Sequence, residues 1–150
     1  MSSFGKILIA SLTGTAFMTL FSYSISRKDK KQYREPELLN HLTGKISRGL
    51  FIPKEKHPLG YILHLLVGMG FTTAYWAVWR STKIDPHWDN AMIFGAFSGV
   101  AGIIIWEINF KLHPDPPEID KRNYYIQLMI AHIIFGTTAG GQWQLMEGKY

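Results

Sequence analysis

The string His64-Leu65-Leu66-Val67-Gly68 returns as His132-Ile133-Ile134-Phe135-Gly136. Each copy sits in a run of about 20 uncharged residues, enough to cross a bilayer. Imidazole titrates near neutral pH, ligates metals through its neutral form and is costly to place in hydrocarbon, so two in matching apolar runs are the strongest chemical signal in the chain. Three chemistries fit them. On facing helices, His64 and His132 could ligate a b-type haem from its two faces, with Gly68 and Gly136 one turn away to let the macrocycle approach. With Glu107 in the next apolar run they could form a buried polar site that holds or relays a proton. Against that, Lys111 lies four residues beyond Glu107, the spacing of an ordinary ion pair at a membrane edge. As structural groups, the imidazoles could hydrogen-bond across helices to Thr13, Thr19, Ser22, Ser98 or a carbonyl and hold the bundle in register.

Other chemistries are poorly served. The spacings of His41, His57, His64, His113 and His132 match no zinc pattern, and His57-Pro58 and His113-Pro114 read as helix ends. There is no glycine-rich phosphate loop, GxSxG or HExxH motif and no paired-carboxylate motif, so no catalytic residue is assigned and a non-enzymatic protein is expected. The chain has no cysteine, which removes disulfides, thiolate metal sites and a cysteine nucleophile. No cofactor is required by these residues; haem b through His64 and His132 is the one they would allow.

The elements that position the histidines follow from the distribution of charge. Of the 150 residues, 18% are charged, and nearly all of these lie between four apolar blocks. The blocks predict membrane-spanning helices over about 7–25, 58–79, 91–110 and 123–146. Pro58 suits a first helical turn, and Asp89 or Asn90 could cap the third span. Short connections make the later helices antiparallel neighbours. Between the first two spans, Leu38, Leu39, Leu42, Ile46 and Leu50 recur at helical spacing, with Lys45 and Arg48 off that stripe. This predicts an amphipathic helix within 36–52, lying in the cytoplasmic interface or capping the bundle from below.

Twelve of the 16 Lys and Arg residues fall on the side that carries this segment and four on the other, which places both termini outside the cytoplasm. Trp76, Trp79, Trp88 and Trp143 then share the outer interface. The net charge of +5 belongs to the connecting segments and suits anionic lipid; no basic patch is interleaved with aromatics as nucleic-acid binding would require. The histidine strings align the second span with the fourth, and Ala10-Ser11-Leu12-Thr13-Gly14 aligns with Gly95-Ala96-Phe97-Ser98-Gly99. The chain thus reads as one all-α transmembrane domain, residues 1–150, built from two helical-hairpin repeats, with both histidines at equal depth. Gly14, Gly68, Gly95, Gly99, Gly136 and Gly140 supply small faces for close helix packing.

The first span with Gly14 and Met18-Thr19, the Pro36 segment with Leu38 and Leu39, His64xxxGly68, Gly95xxxGly99 with Trp106, and His132xxxGly136xxxGly140 together resemble the YagU-like small membrane proteins of bacteria. The resemblance implies a multi-pass protein of the bacterial inner membrane with four spanning helices. It carries over no catalytic residue. The expected partners are the lipid bilayer, other membrane subunits or a second copy of the chain. Three readings stay open: a non-enzymatic accessory or polar-site component, a haem-binding electron-transfer subunit, and a small proton-coupled transporter.

Overall fold

The structure, a computed structural model, describes residues 1–46 and 53–148, with the side chains of Lys45 and Ile46 left out. Arg48, Gly49, Leu50 and Lys149 lie outside the described residues. The described chain is all-helical: α1 Ser3–Asp29, α2 Glu35–Ile46, α3 Pro58–Ser81, α4 Trp88–Leu112 and α5 Lys121–Glu147.

Local signals set the helix ends. Ser2 accepts from the Gly5 N–H and starts α1, which stops where Lys30 turns left-handed at φ 53°. His57 caps α3 by accepting from the Leu59 N–H, with Pro58 opening the helix. Asp120 caps α5 through the Asn123 N–H, and Gly148 ends it at φ 66°. For α4 the cap is His87 rather than Asp89 or Asn90: the helix already begins at Trp88, which puts both residues inside its first turn. His113, as foreseen for the His-Pro pairs, closes α4.

α1, α3 and α4 are long and apolar enough to cross a membrane. α5 has the length, 27 residues, but falls short in hydropathy. Four apolar spans were expected, and the reason for three is positional. α5 lies between α1 and α4 and buries Tyr124, Gln127, Leu128, His132, Phe135 and Trp143 against them, so fewer of its side chains need to be apolar. The outward faces of the other three are apolar: Leu20 is 64% exposed and Phe97 70%.

α5 runs antiparallel to both neighbours. Lys6 pairs with Glu147 at 3.1 Å at one end of the α1–α5 contact, and Lys31 with Asp120 at 2.8 Å at the other. Closest approach falls between α4 and α5, where a Cβ on Gly136 would stand 2.4 Å from the Ala91 carbonyl oxygen and 2.6 Å from the Gly95 Cα. Only hydrogen fits there. α3 and α4, joined by a short connection, are held further apart by large side chains: the Tyr75 ring packs at a tilt on Phe94 at 5.4 Å, and its hydroxyl meets Ser98 Oγ at 2.6 Å.

The amphipathic segment is a packed fifth helix rather than one lying free at an interface. α2 buries Leu38, Leu42, Glu35, Glu37 and Asn40. It docks on the start of α3, where an added Cβ on Gly60 would stand 2.0 Å from the Pro36 carbonyl oxygen. Asn40 donates to the Glu55 and His57 carbonyls at 2.9 and 2.8 Å and fixes the chain entering α3. The four tryptophans expected at one interface share the end of the bundle away from α2, but two of them serve the interior: Trp79 and Trp143 are buried and pack together at 5.8 Å.

Candidate functional site

At the α2 end, where α3 and α4 stand apart, a cavity of about 200 Å³ receives side chains from all five helices. His64 and His132 both line it, together with Glu35, Thr15 and the aromatic walls Phe71 and Trp106. It reaches the surface between α3 and α4, where Val67 and Ile105, 48% and 51% exposed, form its rim.

The histidines enter by different routes. His132 Nδ1 lies 2.9 Å from the Leu128 carbonyl oxygen; a carbonyl can only accept, so Nδ1 carries the proton and Nε2 is left with its lone pair. That Nε2 lies over Gly102, where an added Cβ would stand 3.0 Å from it. Gly102 therefore makes room for the ring. His64 is buried, 8% exposed, and its Nε2 has no hydrogen-bond partner among the described residues. The cross-helix hydrogen bonds to Thr13, Thr19, Ser22 or Ser98 are not formed. Thr13 bonds the Ile9 carbonyl, Ser22 bonds Glu35 and Ser98 bonds Tyr75, while His132 bonds its own helix.

Nor do the two imidazoles face each other. The His132 ring meets Phe71 edge-on at 5.6 Å, and Phe71 lies about two turns along α3 from His64. The rings line one cavity. A porphyrin between two axial imidazoles needs them opposed, and ligand pockets for larger molecules run to roughly 300–1,000 Å³. The arrangement fits that group poorly. No three His, Cys, Asp or Glu side chains among the described residues are grouped to hold a metal ion.

Glu107 is elsewhere. It sits at the α4–α5 surface with Lys111 Nζ at 3.2 Å, Lys121 Nζ at 3.5 Å and the Tyr125 hydroxyl donating to it. The ion pair weighed against a His–Glu cluster is what forms. The carboxylate that joins the histidines is Glu35, the residue before Pro36 at the start of α2. One oxygen, Oε1, accepts from Ser22 Oγ at 2.9 Å, while Oε2 has no partner among the described residues. Ser22 in turn accepts from Gln127 Nε2 at 2.6 Å, so α1 and α5 hold the carboxyl through neutral donors alone. Its neighbour Glu37 has Arg34 at 3.1 Å; Glu35 has no such cation. Burial pushes the Glu35 carboxyl up to about 7.

Thr15 completes the polar set. Its hydroxyl is buried with no partner among the described residues and would be 2.4 Å from a Cβ on Gly68, so that glycine is the space Thr15 occupies. The remaining small residues serve packing: Gly14 lies against Phe135, Gly99 against Met129 and Gly140 against Ala91. Sequence reasoning passed over Glu35 and Thr15. The available signal was a carboxyl at the start of the amphipathic helix, directly before Pro36.

The chain is thus a helical protein with three potential spans and a polar-ended cavity open on its side. A comparison with known protein families, curated proteins and solved structures finds no match.

Proposed function

We propose that this chain is a non-enzymatic, membrane-spanning bundle that holds a small molecule entering from the bilayer between α3 and α4. One observation carries the reading: three buried polar atoms, Thr15 Oγ1, Glu35 Oε2 and His64 Nε2, have no hydrogen-bond partner among the described residues, and their side chains line one mainly apolar cavity with a lateral mouth. A buried polar atom without a partner costs about 1–3 kcal/mol, so three around one cavity are a standing cost that a ligand offering matching groups would remove. A purely structural role for His64 and His132 would be better served by hydrogen bonds to neighbouring helices. The bilayer is then both solvent and route, and the charge bias of the connecting segments supports α2 on the cytoplasmic side and the termini on the other, with a bacterial inner membrane as the setting.

Trp106 lines the cavity, whereas Trp79 and Trp143 pack at the opposite end. With 5-fluorotryptophan incorporated and W106F used for assignment, a small nitroxide dissolved in the bilayer is expected to broaden the Trp106 fluorine resonance well beyond that of Trp143. Val67→Phe, which fills the mouth, should suppress the difference. Equal broadening of the two resonances, or broadening indifferent to Val67→Phe, would overturn the reading.

A further inference from the structure

The geometry points to a protonated amine on a small apolar body as the ligand of this cavity, with Glu35 as its counter-ion; this rests on the cavity being the binding site. The polar atoms it presents are mostly acceptors. Glu35 Oε2 is free because Ser22 and Gln127 address Oε1. His132 Nε2 is an acceptor because Nδ1 donates to Leu128. Asn109 donates one amide N–H to the Ile105 carbonyl at 2.8 Å and keeps Oδ1 as an acceptor beside its second N–H. Among the described residues no Lys or Arg lines the cavity. An anion would meet a carboxyl and lone pairs with no positive charge to receive it, and a hydrocarbon would leave Thr15, Glu35 and His64 unpaired. An ammonium group supplies several N–H donors and a charge of the right sign, and the faces of Phe71 and Trp106 favour a cation near them. The volume keeps the body small.

Such binding carries a proton balance. Where Glu35 holds its proton, the ammonium ion replaces it: the carboxyl O–H bond breaks, the proton leaves for bulk water, and the carboxylate left behind pairs with the ammonium. One cation enters for one proton released. The buried carboxyl, with its affinity for the proton pushed up to about 7, makes this exchange accessible at physiological pH. The titratable groups around Glu35 are Tyr33, Arg34 and Glu37 beside it in the chain, of which Arg34 is paired to Glu37. From α1, Tyr23 reaches Glu37. α3 brings His64, and α5 brings Tyr124 and His132. α4 brings none, its share of the lining being Gly102, Ile105, Trp106 and Asn109.

The test is calorimetric titration of the detergent-solubilised full chain with phenethylamine, and with 2-phenylethanol and phenylacetate as shape-matched neutral and anionic controls. The amine should bind at least tenfold more tightly than either control. Its affinity should rise about tenfold between pH 6 and pH 8 as Glu35 loses its proton, and two buffers of different ionisation heat should report close to one proton released at pH 6. Glu35→Gln should lose the pH dependence and at least tenfold in affinity. As a second variant, Thr15→Val should weaken the amine while keeping its pH dependence. Preference for the alcohol or the acid, no proton release at pH 6, or unchanged binding by Glu35→Gln would each overturn the amine assignment. If the Trp106 resonance is accessible through the mouth yet the amine is not preferred, the cavity reading stands and the ligand class falls; if Trp106 is inaccessible, both fall.

Discussion

Glu35→Gln is the substitution whose consequence can be worked furthest from the structure. The carboxyl is 1% exposed, its partners Ser22 and Gln127 are neutral, and burial holds it at about 7 instead of the ordinary 4.5. In the unfolded chain the group ionises as pH rises through 4.5; in the native bundle it keeps its proton until about 7. Between those values the unfolded state binds fewer protons than the native state, so native stability falls as pH rises, and above 7 the loss is complete. At 1.36 kcal/mol per pH unit, the interval is worth roughly 3 kcal/mol. Glutamine keeps the oxygen that accepts from Ser22 and cannot ionise. The variant should therefore match the native protein near pH 4.5 and exceed it progressively above, reaching about 3 kcal/mol at pH 8, a rise on the order of 10 °C in midpoint for a chain of this size. Thermal unfolding in detergent at four pH values, followed by circular dichroism for both proteins, measures it. A Glu35→Gln protein whose advantage is the same at pH 4.5 and pH 8, or which is less stable at pH 8, would refute the account of Glu35 as a buried carboxyl without a cation.

Two further predictions concern packing and placement. Gly136→Ala puts a methyl into the α4–α5 contact, 2.4 Å from the Ala91 carbonyl oxygen, and should destabilise by about 1–3 kcal/mol or more; Gly70→Ala, with nothing within 4 Å of the added carbon, should be neutral or gain up to about 1 kcal/mol in the same thermal assay. Because the chain has no cysteine, single-cysteine variants report sidedness cleanly: Ser2→Cys and Lys83→Cys should react with an impermeant maleimide added outside intact cells, and Glu118→Cys only after the membrane is opened, whereas labelling of all three from one side would contradict the spanning arrangement.

Much of the architecture was legible in the chain because it depends on local order. Apolar blocks bounded by charge, Pro58 after His57, and the His113-Pro114 pair mark helices and their ends through short-range hydrogen bonding and backbone restriction, and the structure places helices over those blocks. The stripe of Leu38, Leu39 and Leu42 gave α2 by the same logic, since a helical period can be read wherever the helix has one wet face. The two histidines also stood out by type alone, as polar groups in apolar runs.

What the sequence could not decide is which groups meet. For Glu107 the sequence allowed either the histidines or Lys111 as partner, and its direction around α4 takes it to Lys111 and Lys121 at the surface. Glu35 sits in a charged connection and reads as solvent-exposed, yet α2 folds back against Gly60 and carries it under Ser22 and Gln127, side chains 105 residues apart in the chain. Likewise residues 123–146 read as a fourth span because they are uncharged, yet α5 falls short in hydropathy and sits between other helices, a placement its own residues cannot reveal. Composition and spacing along the chain determined that this is a helical protein with apolar spans and two embedded imidazoles. The carboxyl that joins them, and the side opening of the cavity they line, arise from helix rotation and register, quantities fixed only when distant side chains pack against one another.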